Sequence, residues 1–144
     1  MYTLADIKKV LPHREPFLMI DRVLECEPGK SAKAIRAVNA NEWFFKGHFK
    51  DQKVFPGVLL IESMAQTGAF AVLMHPSNKD KNALFRGIRK LKFKRVIIPG
   101  DLIEIDVEIT NMRPEIGIGK AKAFVDGELA GEGEMIFAFT SMQA

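Results

Sequence analysis

Cysteine is almost missing from this 144-residue chain. Cys26 stands alone, so no intrachain disulfide can form and stability must come from a packed core. Tryptophan and tyrosine occur once each, which leaves few stacking platforms for nucleic-acid bases, and no nucleic-acid motif is present. Histidine is scarce too, and no pair of His or Cys has metal-ligand spacing. Long apolar runs are lacking. The longest, Val58 to Met74, is interrupted by Glu62, Ser63, Gln66 and Thr67, and is too short and too polar for a membrane span. The N-terminus (MYTLADIKKV) lacks a charged start followed by an apolar block, so no signal peptide is expected. The lone cysteine fits a reducing, cytoplasmic setting.

What is present is ordinary globular composition, 47% apolar and 27% charged. The length predicts one domain over residues 1–144, large enough to bury a core without staples. A net charge of +3 and a pI near 9.0 give a mildly basic surface, suited to an acidic partner, to nucleic acid or to solubility alone.

Along the chain, Thr3 caps a short helix, with Asp6 in the capping-box position, and the helix stops before Pro12. Residues 17–27 (FLMIDRVLECE) read as a strand, Pro28-Gly29 as a turn and 33–38 as the return strand. Residues 39–56 are irregular, with one helical turn from Asn41. Gly57 to about His75 reads as a long helix, apolar or small nearly all round and therefore buried. After a loop, strands are predicted over 83–98, 102–112, 116–125 and 128–140, with a hairpin at Asp126-Gly127. One buried helix and about six strands, mostly hairpin-linked, argue for an α+β fold whose antiparallel sheet curves around the helix.

The stretch Lys46 to Thr67, KGHFKDQKVFPGVLLIESMAQT, holds the candidate chemistry. His48 lies in irregular chain between Gly47 and Phe49, and is either a base or an ordinary loop histidine. Glu62 lies inside the apolar helix. A carboxyl there should be pushed toward its protonated form and can act as an acid, unless a basic partner or the backbone satisfies it structurally. Gln66, four residues on, shares its helix face and can orient it. Pro56-Gly57 makes a helix start whose free N–H groups, on Gly57 and Val58, either merely begin the helix or form an oxyanion site. Together the three supply one reaction, proton abstraction beside a thioester carbonyl with loss of a hydroxyl.

The same residues carry a family resemblance. LPHREPFLMIDRV (Leu11 to Val23), GHF followed by FPGVLLIESMAQ (Gly47 to Gln66) and FKRVIIPGD (Phe93 to Asp101) resemble the β-hydroxyacyl-acyl carrier protein dehydratases of the FabZ type, in collinear order over nearly the whole chain. The resemblance implies a hot-dog fold and a homodimer, commonly a trimer of dimers. It also implies that His48 is the base and Glu62 the acid, contributed by different subunits. Gly57, Val58, Gln66 and Phe49 are the matching oxyanion and substrate-binding positions. No metal or diffusible cofactor is implied. The implied substrate is a (3R)-hydroxyacyl chain on acyl carrier protein, and the implied product its trans-2-enoyl form. The chain departs from the family pattern at Lys50 and Lys53, where prolines are usual, and at Arg89 and Val96.

Outside that stretch, Arg86, Arg89, Lys90, Lys92, Lys94 and Arg95 form a basic cluster. It is a docking patch for acyl carrier protein, a strand face pairing with Glu104, Asp106 and Glu108, or simply a solvated face. His13 is expected to order the N-terminal loop and His75 to end the helix. Gly117 and Gly119 lack a following helix for nucleotide binding, and Ser63 lacks a glycine elbow. The competing functions are a thioesterase on the same fold, a dehydratase with added isomerase activity and a non-catalytic acyl-carrier binding protein. The buried Glu62 argues against the last.

Overall fold

The computed structural model describes residues 1–141. It contains α1 (Leu4–Val10), β1 (Arg22–Glu27), β2 (Ser31–Ala37), a 3-10 turn (Trp43–Lys46), α2 (Gly57–Leu73), a second short turn (Pro76–Asn78), β3 (Lys81–Phe93), β4 (Leu102–Met112), β5 (Ile116–Val125) and β6 (Glu128–Ser141). The six strands form one antiparallel sheet in the order β1-β2-β4-β5-β6-β3. α2 packs against β2, β3, β4 and β5, so the sheet wraps the helix.

Local chemistry explains the elements. Thr3 and Asp6 form the capping box, with Thr3 N donating to Asp6 Oδ2 at 2.9 Å and Asp6 N to Thr3 Oγ1 at 3.3 Å. In β4, Ile103, Ile105 and Val107 point into the core while Glu104 and Glu108 face solvent, the two-residue period of a half-buried strand. Asp126 and Gly127 both take positive φ, 51° and 77°, as a tight hairpin between twisted strands requires.

α2 is buried continuously from Ser63 to Leu73. Two of its polar residues are satisfied by their own helix: Ser63 Oγ donates to Leu59 O at 2.8 Å and Thr67 Oγ1 to Ser63 O at 2.9 Å. Burial is not uniform, because the first turn emerges from the sheet and Val58 is 71% exposed.

Two sequence expectations are corrected. Residues 17–20 form no strand, although Met19 and Ile20 are buried. The side-chain amide of Gln66 takes the place of a neighbouring strand: Met19 N donates to Gln66 Oε1 at 2.7 Å, and Gln66 Nε2 donates to Phe17 O at 2.8 Å. The basic cluster does not pair with Glu104, Asp106 and Glu108, because β3 lies beside β6 rather than β4. Arg89 instead pairs with Glu134 of β6, and Arg95 reaches Glu128 at 3.2 Å and Asp101 at 3.6 Å. On β4, Asp106 stands across from Lys33 and Lys122, and Glu108 across from Lys120.

Candidate active site

A recess over the middle of α2 has a volume of about 130 Å³. Glu62, Ala65, Gln66 and Ala69 of α2 form one wall, one helical face at i, i+3, i+4 and i+7 spacing. The loop before β1 supplies His13 and Phe17, and β3 and β6 supply Leu84, Phe85 and Phe137.

Glu62 is enclosed, its side chain 19% exposed. Burial pushes its carboxyl above the usual carboxylate range, against a smaller opposing pull from Gln66, whose Nε2 donates to Glu62 Oε2 at 2.8 Å. Gln66 is fully engaged. Its remaining bonds to Met19 N–H and Phe17 C=O lock the amide, which in turn fixes the carboxyl it touches.

His48 follows the Trp43–Lys46 turn, and its peptide bond to Phe49 is cis. Its Nδ1 lies 2.7 Å from Val54 O. A carbonyl only accepts, so Nδ1 carries a proton, and in the neutral ring Nε2 then holds the lone pair a base needs. The loop is tied down by Val54 N to His48 O at 3.0 Å, Phe49 N to Gln52 O at 3.0 Å and Lys53 Nζ to Ala40 O at 3.2 Å. The lysine at 53 thus anchors the loop that a proline would have stiffened. Beneath it, buried Arg36 is ion-paired with Glu42 and lies 5.5 Å over the Phe55 ring. Phe49 stacks on His48, centroids 4.3 Å apart, and is 54% exposed.

At the start of α2, Pro56 is the N-cap rather than the first helical residue, and Gly57 follows as N1. Helical bonding begins with Leu59 and Leu60 donating to Pro56 O, so the Gly57 and Val58 N–H groups precede it. A methyl group on Gly57 would stand 2.9 Å from Phe93 Cζ. A side chain there would have to displace the half-exposed Phe93 ring, a contact the sequence alone does not carry.

Glu62 and Gln66 share the recess, whereas His48, Phe49, Gly57 and Val58 do not line it. Sequence reasoning missed His13, which stands in the recess with Nε2 at 3.7 Å from Glu62 Oε2. Its position in LPHREPF gave no hint of α2. Among the described residues, no group of three or more His, Cys, Asp or Glu is arranged to hold a metal, and no helix is long and apolar enough to cross a membrane.

A FabA-like domain model matches residues 11–134. The chain is 54% identical over 138 residues to the 3-hydroxyacyl-acyl-carrier-protein dehydratase FabZ of Exiguobacterium sibiricum, covering 96% of this chain and 99% of that one. It is 56% identical over 133 residues to the enzyme of the same name from Staphylococcus carnosus, covering 92% of each. Among solved structures, a chain of the dehydratase heterocomplex ApeI:P from Xenorhabdus doucetiae superposes with a TM-score of 0.79 at 16% identity, over 94% of this chain and 91% of that one. A hypothetical thioesterase from Streptococcus pneumoniae, solved with coenzyme A, gives 0.66 at 9% identity, over 85% and 88%. These two likenesses are of fold, a hot-dog sheet around a central helix.

Proposed function

This chain belongs to the FabA-like family and is a dehydratase of the FabZ type, and on that premise we propose that it converts a (3R)-hydroxyacyl group on acyl carrier protein to the trans-2-enoyl form. The observation that carries the reading is Glu62, a carboxyl driven toward its protonated form by burial and held by Gln66 in a recess lined mostly by apolar side chains. His48 Nε2 takes the proton from C2 while the Gly57 N–H, with Val58 beside it, steadies the thioester oxygen as it gains charge. The C3–O bond breaks, Glu62 gives its proton to the departing hydroxyl, and the electron pair left at C2 forms the double bond. The scheme uses no metal or diffusible cofactor. A thioesterase would instead need this carboxylate ionised to activate water, which burial opposes.

In this reading the chain is one domain and its working form is a homodimer, grouped as a trimer of dimers. His48 of one protomer meets Glu62 of its partner. Two features support this: His48 lies outside the recess of its own chain, and β3 is an edge strand whose Leu84 and Phe85, 52% and 40% exposed, flank that recess. Phe49 then covers the substrate entrance. Carrier docking falls to Lys90, Lys92 and Lys94, which are exposed, rather than to Arg89 and Arg95, which are engaged in ion pairs. The setting is cytoplasmic.

A spectrophotometric assay of crotonyl and longer enoyl thioesters tests the reading. Loss of the conjugated enoyl absorbance without thiol release supports it. Thiol release without hydration overturns it in favour of a thioesterase.

A further inference from the structure

His13 is the one titratable group that shares the recess with Glu62; the walls from α2, β3 and β6 are otherwise amide, alanine, leucine and phenylalanine. Three observations single it out. Its Nε2 lies 3.7 Å from Glu62 Oε2, longer than a direct hydrogen bond but within electrostatic reach of the same oxygen that accepts from Gln66. Its ring lies parallel to Phe17, 6.3 Å between centroids, and Phe17 O in turn accepts from Gln66, so ring and amide are fixed by one short loop. Its Nδ1 is buried with no hydrogen-bond partner among the described residues.

The unpartnered Nδ1 favours one form of the ring. A proton on Nδ1 would be a buried donor without an acceptor, whereas a bare lone pair there is the lesser penalty. The ring is thereby held neutral with its hydrogen on Nε2, toward the acid. Burial lowers the imidazole's affinity for a second proton, and the neighbouring Arg14 cation works in the same direction; Arg14 is itself spent on the carbonyls of Leu11, His13 and Lys8 at 2.8, 2.7 and 3.0 Å. The other charge of this loop, Glu15, is paired with Lys8 at 2.8 Å.

Resting on the assignment of Glu62 as acid, we propose that His13 is a positioning residue for it: with Gln66, the neutral imidazole keeps Oε2 as the accepting oxygen and leaves the transferable proton on Oε1. A donor pointing at Oε2 disfavours a proton there, and a syn proton on Oε1 is the one free to reach the substrate's hydroxyl. A cation in the same place would instead stabilise the carboxylate and spoil the acid.

The test uses the full chain and three variants, with KM and kcat for enoyl thioester hydration and the infrared carbonyl band of the protonated Glu62, assigned by its loss in Glu62→Gln. His13→Leu should lower kcat roughly ten-fold with KM little changed, the mark of misplacement rather than lost binding. His13→Gln, which returns an N–H near the Nε2 position, should recover most of that loss and shows that the loop still folds. In His13→Lys the carboxyl band should vanish at a lower pH than in the parent. Equal kcat in the parent and His13→Leu, or an unshifted band in a folded His13→Lys, overturns the proposal while leaving the acid assignment standing. An active Glu62→Gln removes the acid assignment, and this proposal with it.

Discussion

Phe137 leans so closely on Gly68 that a β-carbon on that glycine would stand 2.7 Å from the ring's Cζ. The ring belongs to both the core and the recess, since its side chain is 1% exposed and lines the cavity beside Glu62. Gly68→Ala therefore sets two effects against each other. Alanine favours a mid-helix position by about 1 kcal/mol, while overpacking a tight core costs about 1–3 kcal/mol. With Val107 Cγ1 also only 3.3 Å from the added atom, the clash should win. The variant should unfold at lower urea by about 1 kcal/mol of stability, and the displaced ring should slow longer enoyl thioesters more than crotonyl. A stabilised variant with unchanged chain-length profile would contradict this.

Gln66 joins the loop before β1 to α2 through bonds to Met19 N–H and Phe17 C=O, and is 1% exposed. Gln66→Leu keeps the bulk but leaves the buried Met19 N–H without a partner, while the part-buried Phe17 C=O is left to water. One buried orphan costs about 1–3 kcal/mol, so a loss of about 2 kcal/mol is expected from urea unfolding. Activity should fall beyond what unfolding explains, because Glu62 loses its orienting bond.

These contacts show where sequence reading succeeds and where it stops. β4, β5 and β6 follow from alternation and the Asp126-Gly127 turn, because their pairings are between neighbours in sequence. The helical face bearing Glu62 and Gln66 follows from four-residue spacing. Gln66's bonds to Phe17 and Met19 span 49 and 47 residues, and no local pattern encodes them. Residues 17–20 look like strand for that reason: they are apolar, and Met19 and Ile20 are buried, but a side chain satisfies the backbone of Phe17 and Met19. The placement of β3 beside β6 is equally non-local, which is why the basic cluster seemed to face the acids of β4.

Glu62 should make stability depend on pH with a definite sign. Its folded carboxyl holds its proton to higher pH than the ordinary value of 4.5. Between those two values the folded state binds more protons than the unfolded one, so stability falls as pH rises through the window and the loss is complete above the folded value. Glu62→Gln removes the ionisation. The variant should match the parent near about pH 4 and exceed it in urea unfolding near about pH 8. A parent that gains on the variant as pH rises would mean that Glu62 is stabilised as a carboxylate.

His48 lies outside the recess that holds Glu62, so the proposed pairing of the two is one between protomers. His48→Ala and Glu62→Gln should each lose activity by about 10²–10⁴-fold, as expected on removing a proton-transfer group. That result alone does not say which chain supplies which residue. Co-expressing the two inactive chains does. In a two-fold dimer with crossed sites, a mixed pair has one site carrying both lesions and one carrying neither. Random pairing makes half the dimers mixed, so roughly a quarter of parent activity should return. If His48 and Glu62 of one chain acted together, every site in every combination would carry a lesion and nothing would return. Activity measured on the purified mixed dimer, with each chain separately tagged, distinguishes the two arrangements.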